Sequence, residues 1–274
     1  MATDPSVTQM ITTGGFQTAY HDVGSGDPLV LLHGSGPGVS AWANWRGVIP
    51  QLSPSRRVVA PNMVGFGPTE RPEGIEYNWS VWTTQVIDLL DALGIEKTDL
   101  VGNSFGGALA LRLAIDHPDR INRLVLMGAM GVEFPITAGL DYVWGYTPSF
   151  ENMAKALDLF VDNKALITDD LIQMRFESSA DPVGRASYEA MFPAPRQRWV
   201  QAMAASDDEL RGIKQRTLIV HGREDQIIPP ENSTRLFHLI DQAQLHMFGH
   251  CGHWTQIEKV DEFCKVVDGF LSAA

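Results

Sequence analysis

Along most of this chain, short apolar runs closed by glycine- and proline-rich turns alternate with longer stretches of helical period. Residues 16–23 alternate loosely and end in Gly24-Ser25-Gly26-Asp27-Pro28, a turn signal that predicts a hairpin into an apolar strand at 29–32. Further short strands are predicted at 58–60, 100–101, 123–129, 217–220 and 245–248. Between them, residues 78–93 place Val81, Trp82, Val86, Leu89, Leu90 and Leu93 near helical spacing, and Gly94 stops the helix. Residues 108–115 are apolar enough for a buried helix that ends at His117-Pro118. A helix over 231–240 and an amphipathic C-terminal helix carrying Ile257, Val260, Phe263, Val266, Val267 and Phe270 complete the pattern. Strands that are apolar on both faces and alternate with helices describe an α/β fold, a mostly parallel sheet covered on both sides. No internal repeat interrupts it.

From about Glu133 to Asp208 the alternation stops. In its place come stretches rich in aromatic residues and methionine around Tyr142, Trp144 and Tyr146, then 153–161, 166–176 and 191–203, broken by Pro148, Pro182, Pro193 and Pro195. These predict several short helices outside the sheet. The expected organisation is therefore a core made of residues 1–133 and 209–274 with an inserted helical lid over 134–208. Most of the lid's aromatic residues form its own small core.

Composition narrows the function more than the fold. The 274 residues suit one large domain or a core with one insertion, and 44% hydrophobic content is ordinary for a soluble protein. A formal net charge of -12 argues against nucleic acid or an anionic membrane as partner. An anionic small substrate would need a local cation. Cys251 and Cys264 are too few for a disulfide framework or a zinc site, so a reducing cytoplasm is expected. The N-terminal stretch has no basic segment followed by an apolar run, so no secretory leader is expected. No stretch approaches the roughly 18 apolar residues of a membrane span.

The chemistry centres on Gly102-Asn103-Ser104-Phe105-Gly106, a G-x-S-x-G pattern between an apolar strand and an apolar helix. Such a turn reverses tightly, lifts the serine hydroxyl out of the backbone and aims a helix N-terminus at any oxyanion formed there. An ordinary glycine-rich turn would match the same five residues; the flanking strand and helix favour Ser104 as a nucleophile. A serine hydroxyl needs a base and an acid that orients the base. Asp225 and His253 follow strands in the order serine, aspartate, histidine, which is the α/β-hydrolase arrangement. His250 competes with His253, and Glu224 and Glu133 compete with Asp225. Gly252 beside His253, and the reach of Asp225 after its strand, favour the first of each set. His33-Gly34-Ser35-Gly36-Pro37-Gly38 lets backbone N–H groups approach a ligand, and His33 is placed to brace that loop.

The stretches HGSGPGVSAWANWR, PNMVGFGPTERP, VGNSFGG, MFPAPRQRW, HGREDQIIP and FGHCGHWTQIE resemble the meta-cleavage product hydrolases, carbon–carbon bond hydrolases of aromatic degradation. The likeness runs from about Gly15 to the C-terminus. It implies an α/β-hydrolase fold with an eight-stranded sheet, and cleavage of 2-hydroxy-6-oxohexa-2,4-dienoates to 2-hydroxypenta-2,4-dienoate and a carboxylic acid without metal or organic cofactor. By the same resemblance, the Ser35 and Phe105 N–H groups form the oxyanion hole. Arg175 holds the dienoate carboxylate, and Gly36, Asn44, Asn103 and Trp254 complete that side. Taken alone, Arg175 reads as a surface ion pair with Asp170 or Glu177, and Arg196 and Arg198 are the substitutes for its role. Met130, Trp144, Met191 and Phe192 are candidates for shaping the pocket of the C6 substituent. A homo-oligomer is also implied. Asn62 and Pro68 depart from residues common in the family's PDMVGFG-type loop, which bears on loop packing alone. A carboxylesterase with the same triad and a slow-turnover ligand receptor are the competing functions. Haloalkane dehalogenases and epoxide hydrolases carry aspartate where Ser104 stands.

Overall fold

The computed structural model of the chain describes Ser6 and residues 8–273. Residues 1–5, 7 and 274 lie outside the described residues, and with them the start of the stretch expected to carry no leader.

Eight strands form one sheet: β1 (Gln9–Thr13), β2 (Phe16–Val23), β3 (Pro28–Leu32), β4 (Arg57–Pro61), β5 (Thr98–Asn103), β6 (Ile121–Met127), β7 (Arg216–Gly222) and β8 (Ala243–Phe248). Their spatial order is β1-β2-β4-β3-β5-β6-β7-β8. The pairs β1–β2 and β2–β4 are antiparallel and all others parallel. The helices are α1 (Ala41–Trp45), α2 (Ile49–Leu52), α3 (Trp79–Ala92), α4 (Phe105–Asp116), α5 (Ala138–Trp144), α6 (Phe150–Phe160), α7 (Asp169–Ala180), α8 (Pro182–Met191), α9 (Gln197–Ala202), α10 (Asp207–Gly212), α11 (Pro230–Leu239), α12 (Thr255–Glu258) and α13 (Val260–Ser272).

The two-residue period of the strands divides the core. Leu29 and Leu31 join a cluster with Trp45, Ile49, Phe263 and Val267 under α1, α2 and α13. Val30 and Leu32 point the other way into a larger cluster with Val86, Leu89, Leu109 and Leu113 of α3 and α4. A strand with both faces buried reads as one continuous apolar run, which is why β3 and β6 were visible in the sequence.

The expected hairpin between β2 and β3 does not form. Residues 20–23 of β2 pair antiparallel with β4 instead, Val23 opposite Val58. Gly24, at φ 87°, lies so close to the chain entering β4 that a Cβ there would stand 2.3 Å from the carbonyl oxygens of Ser53 and Arg56. The turn thus clamps onto the start of β4 and does not fold back. The real hairpin joins β1 and β2 through Gly14 and Gly15, both at positive φ. With its exposed and part-buried residues alternating at an edge, β1 gave too weak an apolar signal to be recognised.

Helices α5 to α9 lie between β6 and β7, where the insertion was expected. Side chains of Thr137, Ser149, Thr168 and Asp181 cap α5, α6, α7 and α8. α8 was not anticipated: Pro182, read as a break, also opens a helix at its first position. α10 begins at Asp207, within the stretch expected to belong to the lid, but packs on α4 and α11 of the core. The loops after β3, β5, β7 and β8 all emerge at the carboxyl edge of the sheet, beneath these helices, where an open α/β sheet builds its sites. No helix among the described residues is long and apolar enough to cross a membrane.

Candidate active site

Ser104 stands between β5 and α4 at φ 54° and ψ -112°, a conformation that non-glycine residues seldom adopt. The surrounding backbone leaves it no alternative. A Cβ on Gly102 would lie 2.3 Å from the Gly106 carbonyl oxygen, and one on Gly106 would lie 2.2 Å from that of Leu32. The Ser104 N–H donates to the Met127 carbonyl at 2.9 Å, and the Ser104 carbonyl accepts from Gly107 and Met130. Strand, turn and helix are thereby locked to β6.

Asp225 and His253 arrive from the loops after β7 and β8. The His253 Nδ1 is 2.7 Å from Asp225 Oδ2, and both side chains are buried. Asp225 Oδ1 accepts the N–H groups of Ile227 at 2.7 Å and Ile228 at 2.9 Å. Burial alone would raise this carboxyl, but the His253 and His221 imidazoles and their hydrogen bonds outweigh it and hold the group well below the usual carboxylate range. Asp225 is therefore an anion able to fix the His253 ring and to stabilise it when protonated. His253 and Ser104 face the same cavity, although no hydrogen bond joins them in this arrangement.

His221 was missed as a member of this group. It is fully buried, with Nε2 3.1 Å from Asp225 Oδ2 and 3.1 Å from the Ile228 carbonyl, and Nδ1 2.6 Å from Ser233 Oγ. Two acceptors at Nε2 place a proton there, and the Ser233 hydroxyl meets the other ring nitrogen. The available signal was its position in HGRED, on a strand and four residues before Asp225.

The competitors fall away. His250 has an 87% exposed side chain, outside the cavity. Glu224 accepts from Arg223 and from the Cys251 N–H, and Glu133 accepts from Gln201.

The glycine loop after β3 brings Ser35 and Gly36 to the same cavity, with Asn44, Asn103, Arg175 and Trp254. Ser35 Oγ accepts the Trp144 indole N–H at 3.1 Å, which fixes the loop to the lid. Phe105 stands at the start of α4 with its ring buried against Trp82 and Trp79, and it is not among the residues that line the cavity. His33 braces the loop as expected. Its Nδ1 donates to the Gly34 carbonyl at 2.7 Å and its Nε2 accepts from the Met63 N–H at 3.0 Å. Burial pulls its pKa down to about 4, so the ring is neutral. The departure at Asn62 is a bracing residue too: its amide accepts from the Ala41 N–H and donates to the Ala19 carbonyl, and an aspartate could not make the second bond.

Arg175 is not the surface ion pair that its neighbours suggested. It is 6% exposed, Glu177 bonds Gln173 instead, and no acidic group among the described residues pairs with the guanidinium. Its Nη2 donates to the Pro37 carbonyl at 3.3 Å, its Nε has no partner, and its plane lies 5.4 Å from the Trp254 ring. Trp254 is in turn stacked on Phe160 at 4.6 Å. Burial first, then the Arg46 charge, lowers the Arg175 pKa to about 10, so it stays cationic at neutral pH. Asn44 Nδ2 is buried without a partner on the same wall. An anion is what this wall can hold. Arg196 pairs with Asp141, and Arg198 lies over Trp199, both away from the cavity.

The apolar end differs from expectation. Met130, Trp144, Met191 and Phe192 are buried but do not line the cavity; Leu140, Val143 and Ile227 do. Trp144 and Phe192 stack on each other at 4.5 Å, so their rings are used up inside the lid. Among the described residues no three His, Cys, Asp or Glu side chains gather into a metal-holding group.

The chain matches the family profile of the α/β hydrolase fold over residues 27–260. It is 55% identical over 265 residues to a 2-hydroxy-6-oxo-2,4-heptadienoate hydrolase of Pseudomonas putida, covering 97% of this chain and 96% of that one. It is 54% identical over 270 residues to a 2-hydroxymuconate semialdehyde hydrolase of a Pseudomonas species, with 98% and 95% covered. Among solved structures, a serine-to-alanine variant of the meta-cleavage product hydrolase of Pseudomonas fluorescens IP01, complexed with acetates, is 53% identical. It superposes with a TM-score of 0.95 over 96% of this chain and 97% of that one.

The buried His33 makes the glycine loop acid-sensitive. Unfolded, it takes a proton near pH 6.5; folded, not until about 4. The unfolded state binds the extra proton between these values, so the stability that depends on neutral His33 is fully present above pH 6.5 and is lost as pH falls towards 4. That loss is roughly 3 kcal/mol if the ring stays fully buried. Urea unfolding across this range checks it: His33→Gln, which does not titrate, is expected to flatten the acid slope, and an unchanged slope would place its cause elsewhere.

Proposed function

The chain belongs to the α/β-hydrolase family and, within it, to the meta-cleavage product hydrolases, and we propose that Ser104, Asp225 and His253 carry out its carbon–carbon bond cleavage. It is a hydrolase of 2-hydroxy-6-oxohexa-2,4-dienoates, splitting C5–C6 to give 2-hydroxypenta-2,4-dienoate and a carboxylic acid. One observation supports this substrate above a neutral ester: a buried guanidinium that has no acidic partner among the described residues shares a cavity with the serine and histidine. An ester substrate would leave Arg175 nothing to neutralise.

The reaction follows from the placement of these groups. The carboxylate lies on Arg175 with the Gly36 N–H and Asn44, and the 2-oxygen lies towards Asn103 and Trp254, which brings C6 to Ser104. The 2-hydroxyl first gives up its proton while C5 gains one, leaving a 2,6-diketone. Without this step the departing group would be a vinyl carbanion; with it, the electrons of the broken bond pass through C3–C4 to the 2-oxygen as a dienolate. Favouring the ketone is thus part of catalysis and not only of binding.

His253 then takes the Ser104 proton as Oγ attacks C6, Asp225 stabilises the resulting imidazolium, and the Ser35 and Phe105 N–H groups hold the oxyanion. Collapse breaks C5–C6 and leaves an acyl-serine; the imidazolium proton goes to the 2-oxygen of the dienolate. Water, deprotonated by His253, releases the carboxylic acid and restores Ser104. Leu140, Val143 and Ile227 flank the C6 substituent, whether hydrogen, alkyl or aryl. No cofactor enters this scheme. Assembly as a homo-oligomer and a cytoplasmic location belong to the same proposal; the first rests on the family likeness and the second on the two isolated cysteines. The division into a core and an inserted helical lid belongs to it as well and rests on where the alternation of strands and helices stops, with α10 counted to the core because it packs on α4 and α11.

The test is colour. Purified protein is expected to bleach the yellow ring-fission product of a 3-alkylcatechol much faster than it hydrolyses p-nitrophenyl acetate, and a preference for the ester would assign it to the carboxylesterases. Arg175→Gln is expected to cost roughly 2 kcal/mol or more in kcat/KM for the dienoate, as loss of a desolvated charge pair does. Unchanged kcat and KM would remove Arg175 from substrate recognition.

A further inference from the structure

Two cavities flank the catalytic one beneath the lid. The first, about 410 Å³, opens between the loop after β4 and α8 and carries both signs of charge, Arg71 and Arg185 against Asp181 and Glu189. The second, about 460 Å³, lies between α1 and the lid helices α6 and α7. Among the described residues no acidic one lines it, although the chain holds 33 acidic residues against 21 basic ones. Its two charged side chains are Arg175 and Arg46.

The second cavity adjoins the site. Ala43, Arg175, Trp254 and Ile257 line both it and the catalytic cavity, so Arg175 forms the partition between them. Arg46 stands at the C-terminal cap of α1 and is exposed. Among the described residues its guanidinium has no acidic partner, unlike Arg56, Arg57, Arg112, Arg120 and Arg123, which all have one. Leu157, Leu166, Leu171 and Met174 make the remaining walls largely apolar. A passage with one cation at its mouth, apolar sides and a second cation at its inner end suits an elongated, conjugated carboxylate.

We propose that this cavity is the antechamber through which the anionic substrate reaches Ser104, and that Arg46 captures its carboxylate before handing it to Arg175. The inference rests on the dienoate reading given above. In a chain of net charge -12, the overall field repels an anion, so a local positive mouth raises the encounter rate where a neutral one would not. Arg46 is a capture residue and not a catalytic one: it touches the carboxylate on the way in and does not face the reacting carbons.

The experiment compares wild type, Arg46→Gln and Arg46→Lys with the yellow dienoate at low and high salt, and with neutral p-nitrophenyl acetate as control. Arg46→Gln is expected to lose about tenfold in kcat/KM at low salt, nearly all of it in KM, with kcat within about twofold of wild type. The difference should shrink at high salt, Arg46→Lys should keep most of the wild-type value, and the neutral ester should be indifferent to all three. Equal kcat/KM for wild type and Arg46→Gln at low salt would overturn the proposal. So would equal losses in kcat and kcat/KM, or a parallel loss with the ester. A wild type that fails to bleach the dienoate at all would instead overturn the substrate assignment, which separates the two failures.

Discussion

Everything at this site is built outward from the closeness of three backbone segments around Ser104. β5 and the end of β3 approach the start of α4 so tightly that Gly102 and Gly106 have no room for a side chain, and the chain turns there with Ser104 at positive φ. Such a conformation costs on the order of 1–3 kcal/mol, and the bonds to Met127, Gly107 and Met130 hold it in place. Its result is a hydroxyl presented above a helix N-terminus, at the carboxyl edge of a sheet whose β3, β7 and β8 deliver their loops to the same place. The fold's contribution is to make that convergence rigid. His33 and the Trp144 bond to Ser35 tie the glycine loop in place, and Asn62 ties the start of α1 that follows it.

Charge organises the rest. Asp225 is anchored by two backbone N–H groups and two imidazoles, so its negative charge is hydrogen-bonded in place at the histidine end. The positive charge of Arg175 sits on the opposite wall, over Trp254, where burial makes it available to an anion and to little else. On the proposed reading, an extended substrate with a carboxylate at one end and a ketone at the other is oriented by its own charge, with the bond to be broken beside the serine. The acidic surface makes the placement of cations selective, since Arg46 and Arg175 alone carry charge along the second cavity.

Much of this was legible in the sequence because it depends on local pattern. Strands buried on both faces show as apolar runs, and the elbow shows as glycines around a serine. The order of Ser104, Asp225 and His253 follows from the loops after successive strands. What depends on distant contacts was not legible. β2 pairs with β4 because Gly24 is clamped to a carbonyl pair that no pattern near residue 24 announces. His221 looks like an ordinary strand residue until Asp225 is seen 3.1 Å away. Arg175, flanked by acidic residues on a helix, reads as a surface ion pair; only the packing of α7 against the glycine loop shows that it is buried. Resemblance, not spacing, pointed to it. That Trp144 and Phe192 stay out of the cavity lining has the same reason, since they stack on one another inside the lid while Leu140 and Val143 face the cavity.

The central claim is that Ser104 is the nucleophile that acts on the ketonised substrate. Rapid mixing of Ser104→Ala with the yellow dienoate tests it most directly, with the spectrum followed and the products assayed. The variant is expected to bind and to perturb the absorbance of the dienoate while releasing neither 2-hydroxypenta-2,4-dienoate nor the carboxylic acid. Release of both products at the wild-type rate would contradict the account.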